Sequence, residues 1–87
     1  MPEISRFLGI VIYMYFNDHN PPHFHVKYNN HRAMILIEKL SLHDGYLPPR
    51  VLGLVMEWAE LNQSALMDNW KSISETGKYE AIAPLVQ

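Results

Sequence analysis

The hydrophobic period of this chain changes once, at Leu47-Pro48-Pro49. Before that point apolar residues tend to alternate, as they do in strands with two unlike faces; after it they recur every three or four residues, as on a helix. Val51, Leu54, Val55, Trp58 and Leu61 fall on one helical stripe, and Leu66, Met67, Trp70 and Ile73 on a second. Strands first and helices after favour an α+β fold over a parallel α/β sheet. The expected architecture is an antiparallel sheet of three or four strands from the N-terminal half, with two C-terminal helices packed on one face. Eighty-seven residues hold one core. The chain therefore reads as a single domain, 1–87, with sheet over about 1–46, helices over 47–77 and a tail over 78–87.

Within the sheet half, Ile4 to Phe7 reads as a short strand or lead-in, and Gly9 as a bend or bulge. Ile10 to Phe16 is rich in β-branched and aromatic residues and reads as a central strand. Its alternation puts Ile10, Ile12, Met14 and Phe16 on one face, Val11, Tyr13 and Tyr15 on the other. Asn17 to Pro22 is a turn, because proline fixes φ and has no N–H to give a central strand. Phe24 to Tyr28 follows, Asn29-Asn30 suits a two-residue type I′ turn, and His31 to Glu38 returns. That turn dictates a register: Tyr28 faces His31, Val26 faces Ala33 and Phe24 faces Ile35 on the core side. Lys27 faces Arg32, His25 faces Met34 and His23 faces Leu36 on the other. Leu40 to Tyr46 adds a short further strand. Pro48-Pro49 suits the first turn of a helix, Asn62 is an N-cap candidate for the second, and Gly77 stops it. The tail, Tyr79 to Gln87, carries Ile82, Leu85 and Val86 and is expected to pack on the sheet.

Charge limits the partners. Seven Lys and Arg against nine Asp and Glu leave a net charge of −2, so no global field draws the chain to nucleic acid, and any such binding needs a local patch. The charged fraction is only 18%. Two readings of that shortfall stand side by side: apolar surface that meets a partner or a second copy, or simply a dense core. With no cysteine there is no disulfide framework, thiolate nucleophile or Cys-type zinc site. Met1 to Arg6 lacks the pattern of a signal peptide, and the apolar run Phe7 to Phe16 is too short to span a bilayer. The expected setting is cytoplasmic, away from membranes.

The stretch from Asn17 to Tyr28 holds three of the five histidines, and its chemistry has three readings. His23 and His25, at i and i+2 of a strand, point the same way, and a third ligand from His19 completes a metal site for zinc or another divalent transition metal, with Asp18 as the carboxylate alternative. The second reading needs no cofactor. His23 and His25 act as general base and acid on RNA, Lys27 and Arg32 hold the phosphate, and Tyr13 and Tyr15 stack a base or move a proton. The third is structural: the histidines secure the turn, and Lys27 and Arg32 form a solvated cross-strand pair. Trp58 and Trp70 read as core or interface anchors, and Glu57 and Glu60 as solvent-facing.

Met-Pro-Glu-Ile-Ser-Arg-Phe at the start, Gly9-Ile10, and Met14-Tyr15-Phe16 leading into Asp18-His19-Asn20-Pro21-Pro22-His23-Phe24-His25 resemble a small bacterial family, the domain of unknown function numbered 4160. Leu47-Pro48-Pro49-Arg50, Glu57-Trp58 and Asn69-Trp70 extend the likeness over nearly the whole chain. The resemblance implies a toxin–antitoxin component that binds a small cognate protein. It marks Asp18, His19, Pro21, Pro22, His23, Phe24 and His25 as matching the family's run, and Arg50 after the double proline. The expectation that follows is a toxin–antitoxin component, with RNA cleavage on the His23/His25 face as its activity. Its rivals are a non-enzymatic binding or regulatory module and a histidine-based metal-binding protein.

Overall fold

A computed structural model describes residues 2–86. Met1 and Gln87, the ends of the expected sheet segment and tail, lie outside the described residues. Five strands precede two helices: β1 (Glu3–Phe7), β2 (Ile10–Tyr13), β3 (His23–Tyr28), β4 (His31–Leu36), β5 (Ser41–Gly45), α1 (Pro49–Leu61) and α2 (Gln63–Thr76). Each strand pairs antiparallel with the next, in the order β1-β2-β3-β4-β5.

The sheet thus has five strands rather than the expected three or four. The reason lies at Leu8-Gly9, where both residues take positive φ, 51° and 78°. Two positive φ values in a two-residue connection make a tight hairpin. Gly9 therefore reverses the chain, and the lead-in pairs as a full strand, with Phe7 opposite Ile10.

The register between β3 and β4 is the one the alternation predicts, from Tyr28 opposite His31 to His23 opposite Leu36. The turn itself differs. Only Asn29 of the Asn29-Asn30 pair has positive φ, 53°, so it is not the type I′ turn that two such residues define. β2 is shorter than expected. It ends at Tyr13, and although Met14 still reaches the core, Phe16 is exposed. The chain has by then left the ladder for the long β2–β3 connection, where the Asn20–Pro21 peptide bond is cis.

One face of the sheet carries Ile4, Phe7, Ile10, Ile12, Phe24, Val26, Ala33 and Ile35 into the core. Val51, Val55 and Trp58 of α1 and Leu66, Trp70 and Ile73 of α2 close over it. Trp58 is fully buried, its ring 5.7 Å from Phe7 and 6.0 Å from Phe24. Leu61, assigned to the same stripe, is 73% exposed; it is the last residue of α1, where the chain already turns into α2. Asn62 does not cap α2 through its side chain. Its Nδ2 instead donates to the Trp58 carbonyl at 2.8 Å, closing α1. Gly77 ends α2 in the left-handed conformation, as expected.

The tail runs along β1 and against the helices. The Ile82 amide donates to the Ile4 carbonyl, Trp58 Nε1–H donates to the Ala83 carbonyl, and Asn69 holds Glu80 through two hydrogen bonds. Ile82 reaches the core, whereas Val86 is exposed. Among the described residues no helix is long and apolar enough to cross a membrane.

Candidate functional site

The β2–β3 connection folds back over the start of β3, and this brings Asp18 onto two histidines. His23 opens β3 and His25 follows two residues later, so strand geometry sets their rings on one side, with centroids 5.0 Å apart. Asp18 Oδ2 lies 2.7 Å from His23 Nε2 and 2.9 Å from His25 Nε2, and Asp18 Oδ1 accepts the His19 amide at 3.2 Å. One potential ligand atom from each of Asp18, His23 and His25 lies within 4.8 Å of those of the other two.

The two histidines differ in what surrounds them. His23 is 2% exposed, its ring 5.0 Å from that of Trp70 on α2. Its Nδ1 is 2.7 Å from the Pro21 carbonyl. A carbonyl oxygen only accepts, so Nδ1 carries the proton and donates. Nε2 therefore faces Asp18 either with a second proton or with its lone pair. His25 is partly open. It stacks on Tyr13 at 5.2 Å and meets the edge of Tyr15 at 4.7 Å.

Opposing effects act on the Asp18 carboxyl. Burial pushes its pKa up, but the hydrogen bond from His25 and the charge of His23 outweigh burial and hold it below the ordinary aspartate value. At Tyr13 burial prevails over the nearby Arg32 guanidinium, and the phenol is raised.

Beyond His25 the outer face of the sheet forms a hollow of about 310 Å³, lined by Tyr13, Tyr15, His25, Arg32, Met34 and Asp44 among others. Its floor is one row across four strands: Tyr13 pairs with His25, His25 with Met34, and Met34 with Asp44. In the adjoining row Lys27 lies directly opposite Arg32, and both are exposed. Among the described residues neither joins an ion pair. A larger hollow, about 620 Å³, lies between α2 and the tail; its buried polar residue, Asn69, holds Glu80 with both its amide nitrogen and its oxygen.

The fold thus gathers Asp18, His23, His25, Tyr13 and Tyr15, and sets Lys27 and Arg32 on the same outer face. His19, expected as a metal ligand, is not in the cluster. Its side chain is 91% exposed, its Nδ1 is 3.8 Å from Asp18 Oδ1, and its ring is 6.4 Å from that of His23. It precedes the stiff Pro21-Pro22 pair and faces solvent, while its neighbour Asp18 turns in. Arg50 is exposed in the first turn of α1, away from the hollow's lining. Three participants had no sequence signal as site residues. Met34 lies opposite His25 in the expected register without a functional group to mark it, Asp44 arrives through the pairing of β5, and Trp70 seals His23 from α2.

Comparison with protein families decides the chain's affiliation. The family described as "Domain of unknown function (DUF4160)" matches residues 9–71. The chain belongs to the DUF4160 family. The matched span contains Asp18, His23, His25 and the hollow; the N-terminal seven residues of the resemblance lie outside it. No curated protein and no solved structure matches this DUF4160 chain.

Proposed function

We propose that this DUF4160 protein binds a divalent transition metal ion, zinc being the first candidate, through Asp18 Oδ2, His23 Nε2 and His25 Nε2. One observation carries the reading. Three donors of the right type converge, and the buried histidine among them has its other nitrogen locked by a backbone carbonyl. In the neutral imidazole that lock keeps the proton on Nδ1 and leaves the Nε2 lone pair for an ion, as the outer partners of metal-bound histidines do. Two histidines and a carboxylate are a ligand set of catalytic zinc, with a fourth position left for water or substrate. The donors stand 2.7 and 2.9 Å apart, whereas donors around one tetrahedral zinc stand about 3.3 Å apart. An opening of about half an ångström at Asp18, which sits in a connection rather than a strand, makes up the difference.

The test is metal stoichiometry. The protein is equilibrated with zinc, dialysed and analysed by elemental mass spectrometry, alongside the His23→Ala/His25→Ala double variant. The expected result is one zinc per wild-type chain and none in the variant. Equal retention by both chains overturns the proposal.

A second reading has its own support: His25, in contact with Asp18, borders the hollow where Lys27 and Arg32 lie on the same face. It is a metal-independent ribonuclease, the toxin of a toxin–antitoxin pair held by a cognate small protein, or otherwise a second copy of itself. His25 moves the proton, Asp18 orients it, and Lys27 and Arg32 hold phosphate. His23, sealed under Trp70, then positions Asp18 and does not meet substrate. Induction in a bacterial host separates the two readings. Growth arrest with RNA breakdown, lost in His25→Ala and unaffected by chelators in vitro, favours the ribonuclease. Both readings take the protein as cytoplasmic, in keeping with its cysteine-free sequence.

A further inference from the structure

Lys27 and Arg32 stand directly opposite each other on neighbouring antiparallel strands, an arrangement that destabilises a sheet when the charges are alike. The chain has nine acidic residues and an overall charge of −2. Even so, among the described residues none of those acids pairs with Lys27 or Arg32. The two cations also lie in the row next to His25, a member of the candidate metal site. Lys27 lies two residues along β3 from His25, a rise of about 7 Å, which the long side chains of Lys27 and Arg32 can span. On the other side of His25, Tyr13 is buried against it while Tyr15 is 44% exposed. An uncompensated pair of cations, an exposed aromatic and a ligand-sized hollow therefore share one face.

We infer that this face binds a nucleotide, with its phosphate between Lys27 and Arg32 and its base against Tyr15. The inference goes beyond the metal-centre reading and shares only His25 with it. The anion relieves the repulsion between Lys27 and Arg32, and the Arg32 guanidinium suits two phosphate oxygens at once. A base stacks on Tyr15 regardless of its identity, as bases do on aromatic platforms. Asp44, at the far end of the row through His25 and Met34, offers an acceptor to a ribose hydroxyl or base amino group.

The experiment is calorimetric titration of zinc-equilibrated protein with inorganic phosphate, adenosine monophosphate and a short single-stranded RNA, with zinc content measured on the same samples. The nucleotide is expected to bind more tightly than phosphate, and Tyr15→Ala to abolish that preference. Lys27→Ala and Arg32→Ala are each expected to weaken binding about tenfold, with affinity falling as salt rises. Both positions are exposed, and circular dichroism is the check that the variants fold. RNA binding far above the mononucleotide identifies a strand as the ligand; equal affinities identify a free nucleotide. Absence of binding, or equal binding by wild type and the Lys27→Ala/Arg32→Ala double variant, overturns the inference. Zinc retained without nucleotide binding sinks this inference alone. Nucleotide bound to a zinc-free chain sinks the metal reading and leaves the docking face standing.

Discussion

Replacing Asp18 by alanine removes the carboxylate that contacts the His19 amide and both imidazoles, and the structure says which of the losses matters. The His19 amide and His25 both reach water, so each lost bond costs at most about 0.5–1 kcal/mol. His23 does not. It is 2% exposed, between the Pro21 carbonyl and Trp70, and an unsatisfied buried polar group costs about 1–3 kcal/mol. The sum for metal-free protein is about 2–5 kcal/mol, a large part of the stability of a small domain. With a urea slope near 1 kcal/mol per molar, the midpoint should fall by about 2–5 M, followed by Trp58 and Trp70 fluorescence in the presence of a chelator. Asp18→Asn should behave differently. With His23 Nδ1–H donating to Pro21, the Nε2 lone pair can accept from the Asn amide, so the cost should stay below about 1 kcal/mol. The amide is nevertheless a poor zinc ligand. Zinc at a hundred times its dissociation constant should stabilise the wild type by about 2.7 kcal/mol and Asp18→Asn not at all. A midpoint for Asp18→Ala within about 0.5 M of wild type refutes the claim that buried His23 depends on this carboxylate. Equal stabilisation of Asp18→Asn by zinc refutes the ligand assignment.

Gly45, on the rim of the hollow, has φ of 85°, and a Cβ there would lie 2.1 Å from the Arg32 carbonyl oxygen. Gly45→Ala is therefore expected to cost about 3 kcal/mol or more, from strain plus overlap, read as a lower urea midpoint; a midpoint matching wild type would show that the β4–β5 pairing shifts at no cost. Ser5 buries a hydroxyl that lacks a hydrogen-bond partner among the described residues, so Ser5→Ala should be neutral or stabilising by up to about 1 kcal/mol. Thermal unfolding checks it, and a loss of stability would point to a partner for that hydroxyl.

The features legible in the residues were those set by local geometry. The register of β3 on β4 follows from a two-residue turn and a period of two, because a one-residue slip would send Phe24, Val26 and Ile35 to solvent. Gly77 could be read as a helix stop because a left-handed residue is cheapest as glycine. The i, i+2 spacing alone put His23, His25 and Lys27 on one face. Where the chain's path through space was needed, local rules failed. Leu8-Gly9 became a hairpin, adding a fifth strand, because β2 was there to receive it. Leu61 left its stripe because α1 ends there, and Asn62 turned back to the Trp58 carbonyl rather than forward.

The candidate centre divides along the same line. Sequence by itself placed the two histidines side by side, since a strand repeats its facing every second residue. It could not choose between Asp18 and His19 as the third member. Adjacent residues in a connection have no periodicity to separate them, and the choice depends on how that connection folds back over β3. Nor could spacing foresee that Trp70, from the second helix, would seal His23 while His25 stayed open. Only tertiary packing makes one histidine a buried anchor and the other the open side of the site, because burial depends on which distant element comes to rest against each ring.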